Sequence, residues 1–419
     1  MNTDNTIPIA ADYIQRFEKM AFGMFIHWGL YSNVGRGEWL MHMEKMSVEN
    51  YSPLIDKFIV SEFDAHQWAR LAKESGMNYM VLTTRHHDGF SLYDTKGLSD
   101  FDVMNSPAGR DIVEEFVQAC RQENITPFFY HTTLDWRFET LTCDDKKFEE
   151  YLDYFHASIE LLCQNYGQIG GLWFDGDWSR PNADWKHDRL YSIIRQYQPE
   201  AMIINNTGLN SRGTIPHLEI DSVTYEQGLP KPMDQSGASK YVAGEMCQTI
   251  NAHWGIATND FAYKSPSELI ESLAASRKVS ANYLLNIGPT GKGSISDLDS
   301  AILRKVGQWI KLHGPAIYEG KPSYIECQGE DFILEVENKY YYFAYNLGIA
   351  GDANVTLGFS GKGARGLKNL RKEIKEIRWT DNDEPLTFTQ DTDSGLAAID
   401  LTSFPYGTNT VIRVAEITY

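Results

Sequence analysis

The chain has 419 residues, enough at about 150 residues per domain for two or three domains, or for one large barrel with an appended module. Hydrophobic residues at 42% and charged residues at 23% describe a globular chain and exclude a disordered, collagen-like or coiled-coil one. With 57 acidic against 38 basic side chains the net charge is -19, which repels phosphate backbones and anionic lipid, so neither nucleic acid nor a membrane surface is an expected partner.

The opening segment, MNTDNTIPIAADYIQRFEKM, lacks a basic stretch followed by an apolar one, and no apolar run of about 18 residues occurs anywhere in the chain. Cys120, Cys143, Cys163, Cys247 and Cys327 are odd in number and show no CxxC spacing, which suggests neither a disulfide framework nor a zinc ribbon. A cytoplasmic protein in a reducing compartment is expected.

From residue 22 to about 315, short apolar runs alternate with amphipathic ones, the pattern of a parallel sheet wrapped by helices. The expected strands are FGMFIHWG (22–29), YMVLTT (79–84), PFFYHT (127–132), GLWFD (171–175), AMIIN (201–205), SVTYE (222–226) and YLLNIG (283–288), with room for an eighth. Helices are expected over 63–76, 110–124, 145–167, 188–197, 265–280 and 297–314, several opening on acidic or hydroxyl residues and closing at Gly76, Gly167 or Gly314. After Pro322 the texture changes to alternating runs, FILEVENKYYYFAYNL, NVTLGF, KEIRWT, LTFTQ and TVIRVAEITY, separated by Gly, Asp and Asn turns. The predicted architecture is α/β: a (β/α)8-like TIM barrel over 1–318, followed by a C-terminal antiparallel β-sandwich over 319–419.

Such a barrel carries its reactive groups at the C-terminal ends of its strands. Polar residues end nearly every expected strand: His27 and Trp28, Arg85 to Asp88, Tyr130 and His131, Asp175, Asn205 and Asn206, Glu226, and Asn286. Any one of them reads plainly as a hydrogen-bonded structural residue, and it is their convergence on one end of a barrel that points to a site. LWFDGDW sets Asp175 among Trp173, Phe174 and Trp178. A carboxylate among rings costs desolvation energy unless it is used or paired, while aromatic faces suit the C–H surface of a sugar. The plainer reading, in which Asp175 caps the following loop, stands beside it.

Glu226 in SVTYEQG ends a later strand, where it could face Asp175 across the barrel mouth; two such carboxylates read as a glycosidase pair. Glu245, in GEMCQTINAHWG near the expected seventh strand with Trp254, competes with Glu226 for the acid/base role. GRGEWL brings Glu38 and Trp39 into the loop after the first strand. His27, His86, His87 and His131 offer a metal reading. Against it, adjacent His86 and His87 on a regular strand would point to opposite faces, and no HxH or HExxH pattern occurs, so hydroxyl recognition is favoured and no metal is expected. NIGPTGKG lacks the spacing of a phosphate-binding loop and reads as a turn.

FGMFIHWGLYS (22–32), GEWL (37–40), TTRHHDGFSLYDT (83–95), GLWFDG (171–176), TYEQ (224–227), GEMCQTINAHWG (244–255) and NYLLNIGPTGKG (282–293), taken in order, resemble the α-L-fucosidase family of glycoside hydrolases. The resemblance implies a β/α barrel with a C-terminal β-sandwich, and retaining hydrolysis of terminal α-L-fucose from fucosylated oligosaccharides or glycoconjugates, without cofactor or metal. Carried over by motif, it implies Asp175 as nucleophile and His27, Glu38, Trp39, His86, His87, Tyr130 and Trp173 as fucose-binding residues. Glu226 is the first choice for the acid/base and Glu245 the runner-up, although Tyr225 stands where relatives have proline. INNTG departs from a usual Asn-Asp-Arg segment, with Thr207 in the arginine's place. A homo-oligomer is allowed, and linkage and aglycone are left open. The competing readings are a retaining glycosidase for another sugar, a metal-dependent barrel hydrolase, and a sugar-binding module without catalysis.

Overall fold

A computed structural model describes residues 7–352, 354–356 and 361–419. In it eight parallel strands close into a barrel in sequence order. They are β1 (Phe22–Ile26), β2 (Tyr79–Arg85), β3 (Thr126–Thr132), β4 (Gly171–Asp175), β5 (Met202–Asn206), β6 (Ser222–Glu226), β7 (Ala243–Thr249) and β8 (Ala281–Ile287). The strand for which the sequence left room is β7, the segment that carries Glu245. The expected helices are present, and their starts follow cap chemistry: Asp64, Asp111 and Asp144 each accept a backbone N–H of the first turn. Ser265 and Glu268 form a reciprocal capping box.

One helix that strand and helix periodicity did not reveal is Asp12–Met20. Its Ile14 and Phe17 are buried, and the Phe17 ring packs against Tyr79 and Phe128, so the helix closes the N-terminal end of the barrel. Above it the register arranges the interior in layers. Phe128 lies level with Gly171 and Met202, Tyr130 with Trp173 and Ile204, and Thr132 with Asp175 and Asn206. Because strand side chains alternate faces, these three rows all point inward. The first two are mainly aromatic and aliphatic, and the third, Thr132, Asp175 and Asn206, is polar.

The chain divides into two compact units, residues 1–264 with 282–304, and residues 265–281 with 305–419. In the second unit, β9 (Lys321–Pro322), β10 (Glu326–Cys327), β11 (Phe332–Val336), β12 (Lys339–Ala344), β13 (Gly363–Lys368), β14 (Glu376–Trp379), β15 (Thr387–Asp391), β16 (Leu396–Leu401) and β17 (Arg413–Thr418) form two antiparallel sheets. Their orders are β10-β13-β16-β15 and β14-β17-β12-β11-β9. Ile333, Tyr340 and Tyr342 from one sheet share a core with Leu367, Ile399 and Leu401 from the other, as a sandwich requires. β13 and β16 were not among the expected strands, and the expected NVTLGF strand runs into 357–360, outside the described residues.

The expected helix stop at Gly314 is not taken. The helix runs Asp297–Glu319 through Pro315. Pro315 removes one backbone donor, but Ala316 and Ile317 beyond it are fully buried, and that burial favours another turn. Among the described residues no helix is long and apolar enough to cross a membrane.

Candidate active site

At the C-terminal ends of the barrel strands lies a cavity of about 60 Å³. Its wall contains eight of the expected site residues: His27, Trp39, His86, His87, Tyr130, Trp173, Asp175 and Glu226. Phe25, Trp178, Asn206 and Trp254 complete it. Asp175 is the last residue of β4, and the chain leaves it through Gly176 at φ 116, where a Cβ would come within 2.6 Å of Leu134 Cβ. Only glycine fits that turn.

Four groups face the Asp175 carboxylate. Trp178 Nε1–H and Asn206 Nδ2–H donate to Oδ1 at 2.9 and 3.1 Å. The Tyr130 hydroxyl donates to Oδ2 at 3.1 Å, and His87 Nε2 lies 3.5 Å from the same oxygen. Burial pushes the Asp175 carboxyl up, but the donated hydrogen bonds and the His87 imidazole outweigh it and hold the group below its ordinary value. It is therefore ionised at neutral pH. His87 is itself fixed from behind: its Nδ1 lies 2.6 Å from the Thr132 hydroxyl, which also bonds the Leu134 carbonyl.

Glu226 ends β6 and shares a partner with Asp175. Asn206 Nδ2 donates one proton to Asp175 Oδ1 at 3.1 Å and the other to Glu226 Oε2 at 2.8 Å. The amide cannot be turned round, because its Oδ1 accepts from the Thr224 hydroxyl at 2.9 Å and from Gly208 N–H at 3.2 Å. The two carboxylate oxygens can therefore be no more than about 5.9 Å apart, the sum of the two contacts. Retaining glycosidases hold their carboxyls about 5 to 5.5 Å apart and inverting ones about 6.5 to 9.5 Å, and a single amide bridging an oxygen of each is compatible with the shorter, retaining separation. Burial, then the nearby Asp175 charge, raises Glu226 to about 7. The two carboxyls are thus pushed in opposite directions, one kept ionised and its neighbour made easier to protonate, the division of labour that a nucleophile and an acid need.

Two of the imidazoles, His27 and His86, are held neutral by burial. Asn286 donates its amide to the Trp254 carbonyl at 2.7 Å, so its Oδ1 accepts from His27 Nδ1–H at 2.6 Å. His27 Nε2 is left as an acceptor, and burial lowers the ring's pKa to about 3, keeping it neutral. His86 is buried, also held neutral by burial, and its Nδ1 has no partner. It lies parallel to the Tyr130 ring at 5.6 Å, and Tyr130 in turn stacks on Trp173 at 5.7 Å.

Several expectations need correction. His86 and His87 do not point to opposite faces: β2 ends at Arg85 after a register shift, the next residues form a turn, and the two rings sit 4.2 Å apart on one wall. Glu245 is not at the cavity. It pairs in register with Thr224, whereas Glu226 pairs with Cys247, so it lies one layer lower. There it accepts from the Tyr79 hydroxyl at 2.6 Å and from Trp173 Nε1–H at 2.8 Å, and burial raises it to about 7. Glu38 is 6% exposed, accepts the Gly255 N–H at 2.7 Å, and borders the neighbouring cleft rather than the small cavity. Trp28 faces away from the site, among Phe58, Phe63 and Trp68, because alternation that turns His27 inward turns Trp28 out. His131 and Phe174 likewise pack on Phe155 outside the barrel.

The small cavity opens beside a cleft of about 1090 Å³, and the two share Trp39, Trp178, Glu226 and Trp254. Thr207 lines this cleft and bonds the Ser211 carbonyl at 2.7 Å. A guanidinium does reach this part of the site from Arg212, whose Nε–H donates to the Glu226 carbonyl and whose charge opposes the rise of the Glu226 pKa. Asn206, Thr132 and Trp254 were not assigned roles from sequence, since each role depends on which strand neighbour stands at its level.

A closed parallel barrel with two carboxyls bridged at its mouth and aromatic and imidazole walls defines the class of a carbohydrate-processing barrel enzyme. Comparison with known proteins narrows this. The family model described as alpha-L-fucosidase matches residues 4–315, and the chain belongs to that family. The human tissue alpha-L-fucosidase is 30% identical over 342 residues, covering 74% of this chain and 70% of the relative. The structure of alpha-L-fucosidase isoenzyme 1 from Paenibacillus thiaminolyticus is 30% identical with a TM-score of 0.81, over 97% of this chain and 98% of the other. That of an alpha-L-fucosidase from Vibrio sp. strain EJY3 is 26% identical with a TM-score of 0.81, over 100% and 74%.

Proposed function

We propose that this chain is an α-L-fucosidase that releases terminal α-L-fucose from fucosylated glycans with retention of anomeric configuration. The observation that carries the reading is the Asn206 amide, which holds Asp175 and Glu226 close together while their charges differ. Asp175 attacks the anomeric carbon, forming a C–O bond as the bond to the leaving oxygen breaks, and Glu226 donates its proton to that oxygen. Glu226, now ionised, then takes a proton from water as the water attacks the same carbon, and Asp175 leaves. The transition state carries positive charge on the sugar ring, and an ionised Asp175 stabilises it more than the neutral ground state. His27 Nε2, His86 Nδ1 and the Tyr130–Trp173 stack supply hydroxyl partners and an apolar face at the wall of the small cavity.

A panel of nitrophenyl glycosides tests the substrate, and proton NMR of the first-formed product tests the stereochemistry. The expected result is turnover of the α-L-fucoside alone with the α anomer appearing first. Faster turnover of another sugar, or the β anomer first, contradicts the reading. The free state of all five cysteines supports a cytoplasmic location; recovery of the native enzyme with intermolecular disulfides from an oxidising compartment would count against it.

A further inference from the structure

Of the groups that hold Asp175, one differs in kind. Tyr130, His87 and Asn206 are buried, whereas Trp178 is 37% exposed, the only exposed side chain in the wall of the small cavity. It stands on the one-turn helix Asp177–Ser179 that follows the Gly176 turn, and its indole also forms part of the wide cleft. On one side a Cβ at Gly208 would lie 3.4 Å from Trp178 Cγ, so the turn after Asn206 rests on the ring. On another the ring runs nearly parallel to Trp39 with centroids 6.4 Å apart.

We propose that Trp178 is a positioning residue that joins leaving-group binding to the nucleophile: its ring is the platform against which the leaving group rests, and its Nε1–H, 2.9 Å from Asp175 Oδ1, orients the attacking carboxylate. This rests on the fucosidase reading and deepens it by naming the residue through which the leaving group is felt at Asp175. Two observations support it independently. The ring belongs to both cavities, and its one polar atom is spent on the nucleophile instead of on solvent. The cleft side offers cyclic leaving groups an aromatic surface, with Trp185 and Leu209 continuing it and Asp177 and His187 at its polar edge. The leaving group it fits is a further sugar ring with an apolar C–H face.

The two functions separate by substitution. Trp178→Phe keeps the platform and removes the donor, and Trp178→Ala removes both. Both variants and the wild type are assayed as the full chain on α-L-fucosyl fluoride, which has no leaving-group ring, and on a fucosylated disaccharide. A donor to a carboxylate favours its ionised form, so its loss raises the Asp175 pKa. The acidic limb of the kcat/KM profile is expected to move up by about half to one pH unit in both variants, on both substrates. In Trp178→Phe kcat falls about 10-fold and KM stays near wild type. In Trp178→Ala, KM for the disaccharide also rises about 10-fold, while KM for the fluoride does not.

An unmoved acidic limb and wild-type kcat in Trp178→Phe overturn the proposal, leaving Trp178 as a wall alone. A KM rise in Trp178→Ala that is equal for both substrates overturns the platform function. A wild-type enzyme that turns over neither fucoside contradicts the fucosidase reading itself, and the proposal falls with it.

Discussion

The small cavity and the wide cleft share four side chains, yet they are built by different means. The cavity is made of strand ends and the turns that leave them, and its polar members are tied into one network: Thr132 to His87, His87 and Tyr130 to Asp175, Asp175 to Asn206, Asn206 to Glu226 and Thr224. The cleft is made of loops, around 36–43, 177–187, 207–216 and 253–254, and many of its side chains are partly exposed. In the proposed function, rigid strands fix the sugar that is attacked, and loops meet whatever is attached to it. Substitutions in the two regions should therefore fail differently: the first in chemistry, the second in substrate choice.

The largest effect is expected at the nucleophile. Asp175→Ala should lower kcat on an aryl α-L-fucoside by several orders of magnitude, with azide restoring turnover by standing in for the missing carboxylate. Near-normal turnover would erase the contrast between the two regions. Next comes the acid. Glu226→Ala should slow a fucosylated oligosaccharide by about 100- to 10,000-fold but a nitrophenyl fucoside far less, since only the poor leaving group needs a proton. Glu245→Gln should show no dependence on leaving group, and should instead lower unfolding stability by about 1–3 kcal/mol, because one of its two buried donors loses its acceptor.

The pH profile should be a bell set inside the small cavity. In the proposed mechanism Glu226 acts from its protonated form, so activity should fall as pH rises through about 7. Asp175 must be ionised and its pKa is depressed, so the acidic limb lies below the ordinary carboxylate range. Asn206→Ala removes the shared amide and should move the acidic limb up, toward that range. The smallest effect is expected in the cleft: His253→Ala, at an exposed imidazole bonded to Asp260 at 2.7 Å, should change kcat/KM for oligosaccharides only a few-fold and leave fucosyl fluoride unaffected.

Much of this was legible in the sequence because a barrel concentrates polar residues at one end of apolar strands, and Asp175, Glu226 and Tyr130 announce themselves that way. What was not legible depends on level and face. Glu245 sits in as suggestive a motif as Glu226, and only the register, Thr224 beside Glu245, places it one row too deep. Asn205 and Asn206 are indistinguishable in sequence, yet alternation sends one to Asp177 and Tyr191 and the other to the two carboxyls. The paired histidines would face opposite ways only on a continuing strand, and the strand ends at Arg85. The helix Asp12–Met20 is short, and only its packing against the barrel, through the buried Ile14 and Phe17, sets it apart from an ordinary amphipathic stretch.

The central claim is that Asp175 becomes covalently attached to the sugar. Incubation with 2-deoxy-2-fluoro-α-L-fucosyl fluoride, followed by peptide mass mapping, tests it most directly, since the 2-fluorine slows both formation and breakdown of the ester while the anomeric fluoride, a good leaving group, keeps formation the faster step. The account predicts one fluorofucosyl group on the peptide that contains Asp175, with activity lost in proportion. A label on Glu226 or Glu245, or full hydrolysis with no labelled peptide, would contradict it.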